Sequence, residues 1–240
     1  MRMRKKPHRD ERMDRCDAVW IRSPAEYRGR WRDLMPAASE LRLEIGCGKG
    51  KFTVETAAAE PGVLFLGLEK NEDALLMAME SAERAGLENL FFLCGDAAEV
   101  VSWFAEGEID GIYLNFPDPW PSNQKRRRRL TWRGYLERYR LILRTGGYLR
   151  FRTDNRNLFA FSKIELAADG WDISYATTDR HHDGPVGILT GYEERFLSQG
   201  LPICALDAVT PNVRGAAPIY ELRVTPKGEN TDVDQDPDRG

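Results

Sequence analysis

The sequence predicts an α/β domain built on a doubly wound, mainly parallel β-sheet. From residue 41 onward, short apolar runs alternate with segments of helical composition, a pattern that favours parallel strands joined by right-handed helical crossovers. A glycine-rich turn follows the first apolar run, which is typical of a strand that leads into a ligand crevice. The length of 240 residues and the hydrophobic fraction of 42% are sufficient for one such domain with a full core.

Seven segments have the composition of buried strands. They are 41–45, 63–69, 90–94, 109–115, 148–153, 171–177 and 220–225, and we expect the last to enter the sheet antiparallel. Capping residues, glycines and apolar spacing predict helices at about 24–34, 51–59, 72–85, 97–105, 131–143 and 155–168.

The two ends of the chain differ in composition from the middle. Residues 1–20 carry many lysines and arginines and few apolar residues, and we expect them to form a flexible basic arm. That arm is either a solvated terminus or a phosphate-binding segment that orders on contact with RNA. We expect residues 21–226 to form a single domain and residues 227–240 to form a disordered acidic tail.

Composition excludes several classes of protein. No apolar run approaches the length of a membrane span, and no apolar signal-peptide core follows the basic N-terminus. We therefore expect a cytoplasmic protein with no membrane partner. The four cysteines are widely spaced, which favours reduced thiols over a disulfide framework and predicts no metal site. His181 and His182 lie in a polar loop, where we expect solvated side chains and not metal ligands.

The glycine-rich turn favours S-adenosylmethionine over a dinucleotide. Its pattern includes Gly46 and Gly48 but lacks the last glycine of the dinucleotide fingerprint, and Glu44 precedes it. A carboxylate at that place would repel a pyrophosphate but attract the ammonium and sulfonium groups of S-adenosylmethionine. Glu69 ends the second strand, where an acid accepts hydrogen bonds from ribose hydroxyls. Asp96, after the third strand, is suited to the adenine amino group.

A proline-rich loop follows the fourth strand. It begins at Asn115, and prolines on both sides of Asp118 hold that carboxylate on a stiff segment at a strand end. Asp118 is either a reactive-site acid or a turn aspartate. Five consecutive cations, residues 125–129, follow the loop, and we interpret them as a contact for RNA phosphates.

Aromatic and basic side chains flank this loop. Trp120 and Trp132 either stack on bases or pack beneath the loop. Arg150 and Arg152 alternate with apolar residues on the fifth strand, so we expect them to share one face near the same crevice.

These segments together resemble a known family. The motifs are LEIGCGKG, GLEKN, CGDA, YLNFPDPWP with a basic run, RTDN and TGYEERFLSQG, which extend from residue 41 almost to the C-terminal strand. They resemble the bacterial tRNA (guanine-N7)-methyltransferases, which methylate guanine 46 in the tRNA variable loop. The resemblance implies a class I methyltransferase (Rossmann-like) fold with a mostly parallel seven-stranded sheet and one antiparallel strand.

The resemblance also implies roles for individual residues. The methyl donor S-adenosylmethionine would be bound by Glu44, Gly46, Gly48, Glu69, Asp96, Asn115 and Asp118, and Asp118 is also the implied catalytic residue. The guanine or its tRNA would be contacted by Ser122, Lys125, Arg126, Asp154, Thr190, Tyr192 and Glu193. Relatives usually have a lysine at the position of Ser122, so Lys125 or Arg126 is expected to supply that charge here.

Other functions remain open on the sequence. A methyltransferase acting on another RNA or on a small molecule would keep the glycine turn and the acids, and a non-catalytic RNA-binding module would keep only the basic segments. An NAD-linked reductase fits less well because the fingerprint is incomplete. The expected partner is tRNA, and the sequence is compatible with a monomer or a homodimer.

Overall fold

The computed structural model describes residues 6–184 and 186–211. Within them, the strands are β1 (Trp20–Ile21), β2 (Glu40–Ile45), β3 (Val63–Glu69), β4 (Leu90–Cys94), β5 (Ile109–Asn115), β6 (Leu143–Thr153), β7 (Asp172–Thr177) and β8 (Cys204–Val209). The α-helices are α1 (Arg9–Arg15), α2 (Lys51–Ala59), α3 (Glu72–Ala85), α4 (Val100–Trp103), α5 (Arg133–Ile142), α6 (Arg156–Ala168) and α7 (Gly191–Leu197).

All eight strands of this part of the chain form one sheet, in the order β1-β4-β3-β2-β5-β6-β8-β7. Only β8 runs antiparallel to its neighbours, β6 and β7. The chain order of the strands reverses at β2, which pairs in parallel with both β3 and β5. Open α/β sheets bind ligands at the carboxyl ends of the strands beside such a reversal.

Helices cover both faces of the sheet, and each face has its own apolar core. On one face, α2 and α3 pack through Phe52, Leu75 and Met79. On the other face, α5 and α6 contribute Leu136 and Leu158 to a larger cluster. The strands between these layers are apolar along almost their whole length because both of their faces are buried.

The doubly wound, mainly parallel sheet is confirmed, but two of its strands differ from the prediction. β1 is a two-residue edge strand beside β4, and β1 and β8 join six predicted strands, so the described residues form an eight-stranded sheet. In the described residues the antiparallel strand is β8, whose two alanines and Asp207 lack the composition typical of a strand. The expected strand at 220–225 and the expected tail at 227–240 lie outside the described residues.

The N-terminal segment also differs from the expected flexible arm. Residues 9–15 form α1, whose Met13 is buried against α3. Arg9 forms an ion pair with Glu72 at 2.6 Å, and Arg12 forms one with Glu80 at 2.6 Å. Apolar packing together with these ion pairs therefore attaches this part of the basic segment to the domain.

One predicted helix is replaced by two shorter turns. Residues 24–34 form 3₁₀ helices at Pro24–Tyr27 and Trp31–Leu34, separated by Gly29 with φ of 79°. The carboxylate of Glu108 accepts hydrogen bonds from the backbone N–H groups of Gly29 and Trp31. None of the helices in the described ranges is long and apolar enough to cross a membrane.

Candidate functional site

A cavity of about 1120 Å³ lies at the carboxyl ends of the central strands. Its walls come from the glycine turn after β2, from the ends of β3 and β5, from the turn after β4, and from the start of α7. The residues of the predicted site that line it are Glu44, Gly46, Gly48, Glu69, Asp96, Asn115, Asp118, Thr190 and Tyr192. The fold therefore brings together side chains that are up to 148 positions apart (44 to 192) in the sequence.

The backbone conformation of the glycine turn explains why glycine occupies it. Gly46 and Gly48 have φ values of 81° and 58°, a conformation that favours glycine. A Cβ atom at either position would meet no atom within 4 Å, so the requirement for glycine there is conformational. Gly50 differs, because its Cβ would lie 2.6 Å from that of Ala78 on α3. The turn thus presents its backbone to the cavity while its end packs tightly on α3.

Glu44 is buried beneath this turn, with 3% of its surface exposed. Its carboxylate accepts hydrogen bonds from the hydroxyl of Thr53 and from Nδ2 of Asn115, the latter at 2.8 Å. Burial raises the pKa of Glu44 above its usual value. The side-chain oxygen of Asn115 is buried and accepts no hydrogen bond within the described residues. Asn115 therefore offers a free acceptor beside the cavity, and Glu44 fixes its orientation.

The other two predicted cofactor acids occupy different settings. Glu69 is half-buried and accepts hydrogen bonds from the backbone N–H groups of Gly48 at 3.0 Å and Asn71 at 2.8 Å. Each carboxylate oxygen keeps a second lone pair for a ligand hydroxyl. Asp96 is exposed, and one of its oxygens caps a short helix by accepting from the N–H of Ala98. Through these hydrogen bonds both carboxylates stabilise the adjacent turn, and both residues line the cavity.

The loop that carries Asp118 has an unusual backbone. Phe116 and Trp120 have φ values of 51° and 39°, in a backbone region that residues other than glycine rarely adopt. Strained conformations of this kind persist only where surrounding contacts hold them. The N–H of Phe116 donates to the carbonyl of Arg152 at 2.9 Å. Asp118 lies between these two positions and is exposed at the cavity.

Arg129 anchors the far end of this loop. Its guanidinium donates to the carbonyls of Pro119 at 3.1 Å and Trp120 at 3.0 Å, and it lies 4.3 Å from the ring centre of Phe161. Only 8% of the residue is exposed. Burial and these hydrogen bonds favour a role for Arg129 in stabilising the loop over the predicted contact with RNA phosphates.

The other four cations of the run lie on an exposed 3₁₀ helix, Asn123–Arg128. The guanidinium of Arg128 lies 4.8 Å from the ring centre of Trp120, and the ammonium of Lys125 lies 5.9 Å from it. Arg128 and Trp120 line the cavity, whereas Ser122, Lys125 and Arg126 are exposed outside it. The basic surface is therefore continuous with the cavity rim.

The predicted guanine contacts divide into two groups. Thr190 and Tyr192 line the cavity, and Tyr192 stacks on Phe116 with ring centres 5.5 Å apart and planes inclined by 18°. Glu193 is fully buried, and Asp154 is exposed, but neither lines the cavity. The fold brings the aromatic pair to the site and leaves both of these acids outside its walls.

The structure contradicts the expected solvation of His181 and bears on the expected position of the β6 arginines near the crevice. His181 is not solvated: its side chain is 1% exposed, and its Nε2 lies 3.3 Å from Glu193. His182 is 79% exposed, as expected. Arg150 and Arg152 share one face of β6, where Arg150 lies over Tyr148, but neither arginine lines the cavity.

Some cavity residues were not found from the sequence. Phe116, Tyr135 and Arg195 line the cavity, and of these only Phe116 had a local signal, since it lies within the proline-rich motif. Across the residues that the structure covers, no group of three or more His, Cys, Asp or Glu side chains could hold a metal ion.

Comparisons with known proteins agree with this geometry. Residues 38–206 match a family model described as a putative methyltransferase. The tRNA (guanine-N(7)-)-methyltransferase of Lachnoclostridium phytofermentans is 40% identical over 210 residues, which cover 87% of this chain and 98% of that protein. The same enzyme from Geobacillus kaustophilus is 37% identical over 217 residues, which cover 90% of this chain and 100% of that protein.

Solved structures resemble the fold at much lower identity. The 16S rRNA methyltransferase KamB aligns with a TM-score of 0.59 at 17% identity, over 76% of this chain and 94% of that one. A 16S rRNA (adenine(1408)-N(1))-methyltransferase aligns with a TM-score of 0.58 at 18% identity, over 81% and 94% of the two chains. These likenesses confirm the predicted class I methyltransferase fold. The two relatives at 40% and 37% identity show that the chain belongs to the tRNA (guanine-N7)-methyltransferase family.

Proposed function

We propose that this protein transfers a methyl group from S-adenosylmethionine to N7 of guanine 46 in the variable loop of tRNA, giving 7-methylguanosine. The main support is the position of Asp118, on a strained loop between the glycine turn and the exposed basic helix, beside one cavity. Family membership supports methylation of a tRNA guanine at N7, since two relatives that match nearly their full length are named tRNA (guanine-N(7)-)-methyltransferase.

The residues present fit S-adenosylmethionine, which when bound supplies a methyl group on a positively charged sulfur. Asn115 has a buried acceptor oxygen with no partner in the described residues, which suits the ammonium of the methionine moiety. Glu44 is enclosed and accepts from Asn115, so we infer that it acts by orienting that amide. Glu69 would accept from the ribose hydroxyls and Asp96 from the adenine amino group, each with the lone pairs that it retains.

The chemistry needs positioning more than it needs a strong base. Guanine N7 already has a lone pair in the plane of the ring, so no proton has to be removed to create the nucleophile. Alignment of the reacting atoms is then the main source of rate enhancement. Positive charge arrives on the purine as the methyl group transfers, and the carboxylate of Asp118 would stabilise that charge.

The exposed cations would bind the tRNA backbone. Lys125, Arg126, Arg127 and Arg128 are solvent-exposed on one short helix, where phosphates can displace water and counterions. Arg126 or Lys125 would supply the charge that relatives have at the position of Ser122. The formal net charge of the whole chain is −3, so this local surface matters more than the overall balance.

The guanine itself would be received by the aromatic pair and by polar groups at the start of α7. Tyr192 is 58% exposed and stacks on Phe116, which presents a flat surface to a base. Thr190 lines the cavity beside it. Asp154 is exposed outside the cavity walls, and a contact from it to the guanine would require the RNA to reach the end of β6.

The experiment that tests this proposal is mapping of the methylated base. The purified protein is incubated with radiolabelled S-adenosylmethionine and, separately, with bulk tRNA, 16S rRNA and a panel of purine metabolites. We expect label in tRNA alone, and chain cleavage specific for 7-methylguanosine should place it at position 46. Label in rRNA or in a metabolite would contradict the proposal and would favour a methyltransferase with another substrate.

A further inference from the structure

Glu193 lies one residue from the exposed Tyr192, yet it has no access to the cavity. The residue is 0% exposed. One carboxylate oxygen is 3.3 Å from Nε2 of His181 and 3.2 Å from Nη1 of Arg152. The other is 3.0 Å from Nη1 of Arg152 and 2.7 Å from the N–H of Thr190. A carboxylate has about four acceptor positions, so a base would find none of them free.

The partners of Glu193 come from three separate elements. Arg152 belongs to β6 and is itself 6% exposed. His181 lies in the loop after β7, and its Nδ1 accepts from the N–H of Val186, which leaves the hydrogen on Nε2 for Glu193. Thr190 caps α7 by accepting from the N–H of Glu193. The carboxylate thus joins β6, this loop and the first turn of α7.

Arg152 connects this cluster to both rings of the aromatic pair. Its backbone carbonyl accepts the hydrogen bond from the N–H of Phe116, and its side chain binds Glu193, the residue after Tyr192. The positions of the two stacked rings therefore depend on one residue of β6.

The charges in the cluster explain why its members act together. Arg180 is also near, with Nε 3.8 Å from Glu193, and burial together with the charge of Arg152 lowers the pKa of Arg180. One carboxylate therefore compensates two largely buried guanidinium groups. Removing its charge would deprive both of the carboxylate with which they form an ion pair, which is costly in a buried setting.

We propose that Arg152, His181 and Glu193 are positioning residues that hold the Tyr192–Phe116 pair in place for the target base, and that Glu193 does not contact the guanine. This proposal rests on the proposed function, because it assigns the geometry that receives the guanine. It differs from the role implied by the family resemblance, in which Glu193 binds guanine directly.

Two tRNA transcripts that differ only in the exocyclic amine of the base at position 46 distinguish a positioning role of Glu193 from direct contact with guanine. One carries guanosine at position 46 and the other carries inosine, which keeps N7 but lacks the exocyclic amine. If Glu193 accepts a hydrogen bond from that amine, Glu193→Gln should reduce the penalty for inosine. If it is a positioning residue, the ratio of kcat/KM for guanosine over inosine should be the same, within about twofold, in the wild type and in the variant.

A second pair of variants tests the cluster without changing the carboxylate. His181→Gln should lower kcat by roughly tenfold to a hundredfold, as expected for a small displacement of a reacting group, with little change in the KM for tRNA. His182→Gln is the matched control, because that neighbour is 79% exposed, and it should behave as the wild type. Hydrogen exchange at the backbone amides of α7 should accelerate in His181→Gln while exchange in β2 and β5 stays slow.

The outcomes are distinct. Equal inosine penalties together with faster exchange in α7 support the proposal. An inosine penalty that falls by more than about twofold in Glu193→Gln, or unchanged kcat and exchange in His181→Gln, would overturn it. Failure of the wild type to methylate either transcript would count against the proposed function instead, and faster exchange in α7 would still be seen if the cluster holds that helix.

Discussion

Among the cations of the basic run, Arg129 is the one whose mutation best distinguishes a loss of stability from a loss of RNA binding. It makes three hydrogen bonds, two with Nε and one with Nη2, to the carbonyls of Pro119 and Trp120. Hydrogen bonds to a charged group contribute about 1.5–3 kcal/mol each, but two of these share one donor, so we take about 3 kcal/mol for the set. For a domain of this size Arg129→Ala should lower the Tm by roughly 6–12 °C.

Arg127→Ala is the matched control, because Arg127 is exposed on the same short helix. Its stability should stay within about 0.5 kcal/mol of the wild type. Its tRNA affinity should fall, and the slope of log K against log salt should flatten by about 0.7–0.9 for each phosphate that the variant no longer neutralises. Arg129→Lys should fall between the wild type and Arg129→Ala in Tm, because lysine keeps the charge but loses the planar fork.

Thermal melting and salt-dependent filter binding measure the two effects independently. We expect Arg129→Ala to change the Tm and the turnover while its salt slope stays near that of the wild type. A reduced salt slope with an unchanged Tm in that variant would show that Arg129 contacts phosphate, and the structural account of the loop would then be refuted.

Three further predictions concern the cavity. Asp118→Asn should lower kcat with little effect on the KM for tRNA or on the Tm. Single-turnover methylation and a melting curve measure these effects. Normal turnover in the variant would show that Asp118 does not take part in the chemistry. Asn115→Ala should weaken binding of S-adenosylmethionine by about 1.5–3 kcal/mol in calorimetry, as expected when a hydrogen bond to a charged group is removed, and unchanged affinity would argue against that interaction. Burial raises the pKa of Glu44 above its usual value, so its charged form costs stability at neutral pH and not in acid. Glutamine loses one of the two acceptor oxygens that bind Thr53 and Asn115 at either pH, so the Tm of Glu44→Gln relative to the wild type should be higher at pH 7 than at about pH 4.5; an equal difference at both values would contradict that burial cost.

The class of fold and the main polar residues of the cavity were predictable from the sequence. Parallel strands buried on both faces must be apolar, so segments such as Val63–Glu69 and Ile109–Asn115 are recognisable without any knowledge of their partners. Because the carboxyl ends of those strands meet at one edge, the acids that follow them were expected to be neighbours. The cavity contains Glu44, Glu69 and Asp118 together, as this reasoning predicts.

Local composition was misleading where tertiary contacts decide the structure. β8 has two alanines and an aspartate, yet it is a strand because β6 and β7 provide hydrogen bonds on both sides. The first helix also depends on contacts that are distant in the sequence, since Arg9 and Arg12 pair with carboxylates on α3.

The role of each charged side chain depends on its burial, which follows from tertiary packing. Arg128 and Arg129 are adjacent and chemically identical, but one is exposed at the cavity rim and the other is enclosed against Phe161. Tyr192 and Glu193 are separated in the same way, with one facing the cavity and the other binding Arg152. Sequence motifs record which residues occur together, whereas burial and the direction of each side chain follow from packing between elements far apart in the chain.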